Sequence, residues 1–167
     1  MQLNTLKVCL LLTATFFVGC VTTRTVPINL PDQTLTSADD AEFELSSLRG
    51  SVVLLDFWAT WCKPCRFALP AYAKLYEKYG DSGLKVIAIS VDHDATALTH
   101  YLRKNPVPFT ILKDPKGRLA QQMGVTKMPT TFLIDREGKI EVFFPGFGTS
   151  MLERLKQHLA GMLSEKQ

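Results

Sequence analysis

Two cysteines, placed between an apolar run and a helical pattern, constrain this chain more than any other feature. The run Val52–Trp58 is apolar except at one position, which is typical of a strand covered on both faces of a sheet. Cys62 and Cys65 follow it closely, and a helical pattern begins after them. A dithiol at the mouth of a helix that follows a buried strand can exchange a disulfide with another molecule. The pattern therefore predicts thiol–disulfide exchange.

The start of the helix predicts different roles for the two thiols. The first N–H groups of a helix have no partner inside it, and the helix dipole places partial positive charge there. Cys62 lies at this terminus beside Lys63, so its thiol should be exposed and should ionise more easily than a free cysteine. Cys65, one turn further in, should be less accessible and should resolve the mixed disulfide that Cys62 forms. Pro64 suits the first turn, where its missing N–H costs little.

Metal binding is the first alternative to redox exchange for two cysteines at this spacing. A zinc site needs further ligands, but no second cysteine pair follows, and the histidines at positions 93, 100 and 158 form no paired pattern. We therefore expect no metal and no cofactor other than the Cys62–Cys65 disulfide itself. Two alternatives stay open. One is a thiol peroxidase that uses a single cysteine near Thr60, and the other is a copper carrier that binds through both thiolates.

Asp56 is the one charged residue in the apolar run. Burial disfavours an ionised carboxylate, so the pKa of Asp56 should rise. One interpretation is that Asp56 accepts the proton of Cys65 during exchange. The alternative is that it faces a solvated pocket or pairs with a lysine. We favour the catalytic interpretation because perturbed ionisable groups concentrate at functional sites.

Residues 1–19 have the features of a lipoprotein signal peptide. Val8–Val18 is apolar but is shorter than a segment that crosses a bilayer. Gly19 directly precedes Cys20, an arrangement that resembles the lipobox of bacterial lipoproteins, in which the cysteine carries lipid and becomes the new N-terminus. Cleavage would remove Cys9. The alternative is an ordinary signal peptide or an uncleaved anchor, with Cys20 incidental.

The next residues are predicted to connect this anchor to one folded domain. Residues 20–34 are polar with two prolines and are interpreted as the lipidated N-terminus and a tether, although the alternation in residues 26–30 also fits an edge strand. Residues 35–167 are expected to form the domain. The predicted location is a membrane facing the periplasm or the outer cell surface. Val21, after the lipidated cysteine, favours the outer membrane where a host has two membranes.

Hydrophobic periodicity predicts alternating strands and helices in the domain. The helices expected are one after Cys62, then Ala95–Lys104, Arg118–Met123 and Ser150–Leu163. The strands expected are Glu42–Leu45, Val52–Trp58, Leu84–Val91, Phe109–Leu112, one after Pro129, and Ile140–Phe144. Right-handed crossovers should make the early strands parallel. The net charge of +3 is too small and too scattered to indicate binding to nucleic acid.

Two motifs resemble a known family. The runs Asp56–Cys65 (Asp-Phe-Trp-Ala-Thr-Trp-Cys-Lys-Pro-Cys) and Met128–Asp135 (Met-Pro-Thr-Thr-Phe-Leu-Ile-Asp) resemble the thioredoxin fold, and in particular the membrane-tethered TlpA/ResA-like proteins. The resemblance spans residues 42–163. It implies a thioredoxin-like three-layer α/β sandwich with a central mixed sheet, and a cis peptide bond at Pro129 facing the disulfide. The substrate-binding residues that it implies are Trp61, Lys63, Pro64, Met128, Pro129 and Thr130.

The chain departs from its nearest branch at two positions. Ala68 stands where many ResA-like proteins have glutamate, and Asp56 matches thioredoxin where many have asparagine. Pro64, directly before the second cysteine, is the residue that reducing thioredoxins have at this position. The resemblance therefore implies a monomeric reductant of disulfide-bearing exported proteins, which a membrane thiol-electron donor recharges.

Overall fold

A seven-stranded mixed sheet forms the centre of the protein in the computed structural model, which describes residues 27–164. The strands are β1 (Thr34–Ser37), β2 (Glu42–Glu44), β3 (Val52–Trp58), β4 (Leu84–Ser90), β5 (Thr110–Lys113), β6 (Thr130–Ile134) and β7 (Ile140–Pro145). The helices are α1 (Lys63–Tyr79), α2 (Ala95–Lys104), α3 (Arg118–Gln122) and α4 (Thr149–Ser164). The strand order is β2-β1-β5-β4-β3-β6-β7, and the predicted thioredoxin-like α/β sandwich is confirmed.

The central strand β3 joins the two halves of the sheet. It pairs in parallel with β4, and β4 pairs in parallel with β5, as the crossover argument predicts. On its other side β3 pairs antiparallel with β6, which forms a hairpin with β7. The carboxyl end of β3 therefore lies beside the beginning of β6. This places the two sequence motifs at the same edge of the sheet.

Helices cover both faces of the sheet. Because side chains alternate along a strand, β3 sends Val52, Leu54, Asp56 and Trp58 to one face and Val53, Leu55 and Phe57 to the other. The apolar stripes of α1, α2 and α4 pack on the first face. The short helix α3 packs on the second. The complete burial of β3 explains why its sequence lacks polar alternation.

The folded domain begins earlier than the predicted boundary at residue 35. Leu30 is only 8% exposed and packs on the α3 face. Its N–H donates to the carbonyl of Gly138, and the N–H of Ile140 donates to the carbonyl of Ile28. The predicted boundary leaves residues 28–30 in the tether, whereas in the structure they take hydrogen-bond partners from a hairpin more than a hundred residues away. The alternative of an edge-strand segment agrees better with this pairing.

The predictions for the signal peptide and for Cys20 lie outside the described residues. Within residues 27–164, none of the helices combines the length and the apolar character required to cross a bilayer.

Candidate active site

A disulfide joins Cys62 and Cys65 at the beginning of α1. The two sulfurs are 2.00 Å apart and the two Cα atoms 5.3 Å apart. Cys62 is the N-cap residue of the helix, and its Sγ accepts the N–H of Cys65 at 3.3 Å. Pro64 lies in the first turn, as predicted. The first turn carries no acidic side chain, whereas Lys63 and Arg66 are exposed beside it. The helix dipole and these two cations favour an anionic sulfur at Cys62.

The two cysteines differ in accessibility, but less than the sequence predicts. Cys65 is fully buried, whereas Cys62 keeps 6% of its surface exposed. The expected order is confirmed, yet the expectation of an openly exposed Cys62 is wrong for the oxidised protein. Its sulfur is bonded to the buried Cys65 and lies in the core cluster that includes Trp58. Trp61, by contrast, is 66% exposed and supplies apolar surface next to the disulfide.

The loop before β6 lies at the same edge of the sheet. Thr130 pairs with Phe57 across the β3–β6 ladder, so Pro129 lies level with the end of β3, just before the cysteine loop. The Met128–Pro129 peptide bond is cis, as the family resemblance implies. Met128 is half-buried, so part of it is open to a partner.

Internal hydrogen bonds fix the shape of this proline loop. The N–H of Gly146 donates to the carbonyl of Pro129 at 2.6 Å, and Gly146 has a φ of 88°, in the left-handed region that favours glycine. The hydroxyl of Thr130 donates to the carbonyl of Lys127 at 2.6 Å, and Thr130 is buried. Its side chain therefore holds the loop together, which differs from the substrate contact that the resemblance implies for Thr130.

A buried carboxylate that the sequence analysis missed anchors the segment before the disulfide. Asp92 accepts the N–H of Thr60 at 2.9 Å and the hydroxyl of Thr60 at 2.7 Å. Ser90 also donates its hydroxyl to Asp92, at 2.8 Å. The position of Asp92 just after a predicted strand was a usable signal, because the carboxyl ends of parallel strands meet at one edge of a sheet. In the structure Trp58 pairs with Ser90 at that edge. The hydroxyl of Thr60, which the peroxidase alternative requires, is thus engaged with Asp92.

Asp56 is fully buried within β3, on the face that α1 covers. Burial raises its pKa from 3.8 to about 8, although hydrogen bonding through Thr131 and Tyr72 partly opposes that rise. Oδ1 accepts a hydrogen bond from the hydroxyl of Thr131 at 2.8 Å, whereas Oδ2 is buried and has no hydrogen-bond partner in the part of the chain that the structure describes. Among residues 27–164 no lysine forms an ion pair with Asp56, and the group does not reach solvent. These contacts favour the catalytic interpretation over the two structural ones.

Tyr72 has a second role besides the packing that its helical stripe indicates. It is fully buried, and its ring makes an edge contact with Phe147 at 6.0 Å between centroids. Its hydroxyl lies 2.7 Å from that of Thr131, the residue that bonds Asp56. Burial, with Asp56 nearby, raises the pKa of Tyr72 well above its usual value, so Tyr72 remains protonated. No local pattern in the sequence points to this contact.

Among residues 27–164, no three His, Cys, Asp or Glu side chains come together in a way that could hold an ion.

Comparison with known proteins agrees with this site. The model of the AhpC/TSA family matches residues 28–143. The thiol-disulfide oxidoreductase ResA of Bacillus thuringiensis subsp. konkukian is 33% identical over 129 residues, which cover 77% of this chain and 73% of that protein. The residues matched by the family model include both sequence motifs and most of the folded domain.

Solved structures also resemble this fold closely. A candidate thiol:disulfide interchange protein DsbE from Chlorobium tepidum has 37% identity and a TM-score of 0.80, and the match covers 85% of this chain and all of that one. An exposed lipoprotein thioredoxin from Streptococcus pneumoniae has 28% identity and a TM-score of 0.69, with coverage of 78% and 99%.

Replacing Asp56 with asparagine should remove a pH-dependent loss of stability from the oxidised protein. The folded-state pKa is about 8 and the ordinary value is 3.8, so between them the unfolded chain releases a proton that the folded protein keeps. The stabilising effect of the protonated group is complete below about pH 4 and is lost as the pH rises to about 8. Denaturant unfolding across that range should show a decline of several kcal/mol in the parent that Asp56→Asn lacks.

A matched control is Asp81→Asn, which removes an exposed carboxylate from the turn after α1. Equal pH dependence in the parent and in Asp56→Asn would contradict the raised pKa of Asp56.

Proposed function

Because the chain belongs to the AhpC/TSA family and is a thiol–disulfide oxidoreductase related to ResA, we propose that it reduces disulfides in exported proteins. The observation that carries this proposal is the Cys62–Cys65 disulfide at the start of α1, together with a buried carboxyl group, Asp56, on the face of β3 that α1 covers. In the proposal Cys62 attacks the client disulfide and Cys65 resolves the intermediate.

The proposed reaction passes two electrons from the protein to its client. The Cys62 thiolate attacks one sulfur of the client disulfide, and the other client sulfur leaves as a thiolate. Cys65 then gives its proton to Oδ2 of Asp56 and attacks the sulfur of Cys62. This step releases the second client thiolate and restores the Cys62–Cys65 disulfide. A membrane thiol donor must return the two electrons before the next cycle, and Asp56 must lose its proton.

The position of Asp56 supports its role as the proton acceptor. Asp56 lies on the face of β3 that packs against α1, the helix that carries Cys65. Both groups are fully buried, so bulk water is poorly placed to take the thiol proton. With a pKa of about 8, the carboxyl group is closer in proton affinity to a thiol than an exposed aspartate is.

The edge of the sheet around the disulfide is suited to an extended client segment. Trp61 offers an exposed apolar ring, and Lys63 and Pro64 are exposed beside it. Met128, which is partly exposed and precedes the cis Pro129, is the proposed place for strand-like backbone pairing with the client.

The proposed location is outside the cytosol, on a membrane, through a lipid on Cys20. The apolar segment and the Gly19–Cys20 pair support this, as does the similarity to a streptococcal exposed lipoprotein thioredoxin. Disulfides persist in such compartments, which gives a reductase clients to act on. Val21 favours the outer membrane in a host with two membranes.

Replacing Cys65 with alanine should trap clients. Without the resolving thiol, the mixed disulfide formed by Cys62 has no intramolecular route to release, so covalent complexes should accumulate. Non-reducing electrophoresis of cells that express Cys65→Ala should show bands of higher mass that dithiothreitol removes. Cys62→Ala is the matched control and should show none. If Cys65→Ala also forms no complexes, the assigned roles are wrong.

The reduction potential of the Cys62–Cys65 pair tests the direction of electron flow. Equilibration of the purified domain with defined thiol–disulfide buffers should give a value nearer to ~−270 mV than to ~−120 mV. A value at the oxidising end would assign the protein to disulfide formation instead.

Cys20→Ser should release the protein from the membrane fraction. The substitution removes the thiol that would carry the lipid, so the protein should move from the detergent phase to the aqueous phase in phase partitioning. Cys9→Ser changes a cysteine within the apolar segment and should leave the partitioning unaltered. If Cys20→Ser still incorporates radioactive palmitate as the parent does, lipid attachment at Cys20 is wrong.

A further inference from the structure

Three buried hydroxyl and carboxyl groups form a continuous hydrogen-bond chain between α1 and the sheet. The hydroxyl of Tyr72 on α1 lies 2.7 Å from the hydroxyl of Thr131 on β6, and Thr131 lies 2.8 Å from Oδ1 of Asp56 on β3. All three side chains are fully buried. These hydrogen bonds thus connect α1, which begins at the disulfide, to the strands β3 and β6.

The chemistry of these groups fixes the direction of each bond when Asp56 is ionised. A carboxylate only accepts hydrogen bonds, so the Thr131 hydroxyl donates to Asp56. Thr131 has one hydroxyl hydrogen, so its oxygen accepts from Tyr72. When Asp56 takes up a proton, Oδ2 has no partner and can carry it, and the two existing bonds remain as they are. The site can therefore change protonation state without rearranging.

We propose that Tyr72 and Thr131 are positioning residues for proton transfer, which hold Oδ1 of Asp56 and leave Oδ2 as the oxygen that exchanges a proton with Cys65. This inference rests on the proposed role of Asp56 in resolution. Thr131 acts directly on the carboxylate, and Tyr72 acts by polarising Thr131. Together they stabilise the ionised form in a site where no described cation does so.

Packing alone does not account for these two hydroxyl groups. Phenylalanine and valine would fill nearly the same space at positions 72 and 131 and would bury no polar atoms. A buried hydroxyl costs free energy unless it is hydrogen-bonded, and within residues 27–164 the hydrogen bonds of both hydroxyls lie along the chain that ends at Asp56. The same near-isosteric replacements provide the test.

Reaction of the reduced protein with 5,5′-dithiobis(2-nitrobenzoate) separates the two steps of exchange. The first phase forms a mixed disulfide at Cys62 and releases one thionitrobenzoate. In the second phase Cys65 attacks that disulfide and releases the other. Stopped-flow absorbance across a pH range therefore gives a separate pH profile for resolution.

Thr131→Val should move the midpoint of the second phase to higher pH by about one unit, which is about a tenfold loss of rate at a fixed pH below the midpoint. The shift is upward because the lost hydrogen bond had stabilised the carboxylate. Tyr72→Phe should shift it in the same direction by less. Thr131→Ser keeps the hydroxyl and should restore the parent profile. The first phase reports on Cys62 and should not shift in any of these variants.

A Thr131→Val profile that overlays that of the parent would overturn the inference, and so would a shift that Thr131→Ser fails to correct. If Thr131→Val does not fold, Tyr72→Phe decides by the same criterion. Asp56→Asn separates this inference from the proposed function. If Asp56→Asn leaves the second phase unchanged, the proposed role of Asp56 fails. If Asp56→Asn alters it but neither hydroxyl variant does, only the positioning role fails.

Discussion

The desolvation of one carboxyl group is the constraint on which the arrangement of the site depends. Asp56 lies in the middle of a fully buried strand, where an ionised side chain is expensive. A purely structural core would place a hydrocarbon there, as it does at the neighbouring positions of β3. The polar residues Tyr72 and Thr131 then follow from Asp56, since they supply the hydrogen bonds that make its anion tolerable. If Asp56 accepts a proton as proposed, the cost of burying it keeps that proton acceptor away from water.

The directions of the strands determine where the disulfide lies. β3 and β4 are parallel, so Thr60 after one strand and Asp92 after the other meet at the same edge of the sheet. β6 begins at that edge because it runs antiparallel to β3. The N-terminus of α1, the Asp92 anchor and the proline loop are thus brought together by strand direction alone. Ala68, fully buried on α1, adds no ionisable group of its own, which agrees with the proposal that Asp56 handles the proton.

Local signals account for what the sequence predicts correctly. The uniform apolar run of β3, the cysteine spacing and the proline before β6 each act within a few residues. The contacts that the sequence does not predict link distant positions. Tyr72 and Thr131, which share a hydrogen bond, are 59 residues apart, and Leu30 bonds to Gly138 in the β6–β7 hairpin. β1 (Thr34–Ser37) contains one apolar residue among four, so it carries little hydrophobic periodicity. The exposure of Cys62 likewise depends on its surroundings in the folded core rather than on its neighbours in the chain.

The packing of residues 28–30 onto the domain affects how the protein would be oriented on a membrane. Residues 28–30 are held against the turn between β6 and β7, and that turn lies at the end of β6 opposite Thr130. The chain therefore enters the domain at one end of the sheet, and Cys62 lies at the opposite end. In a protein attached to a bilayer by its N-terminus, the disulfide would then face away from the lipid. Other proteins could approach it there without obstruction by the membrane.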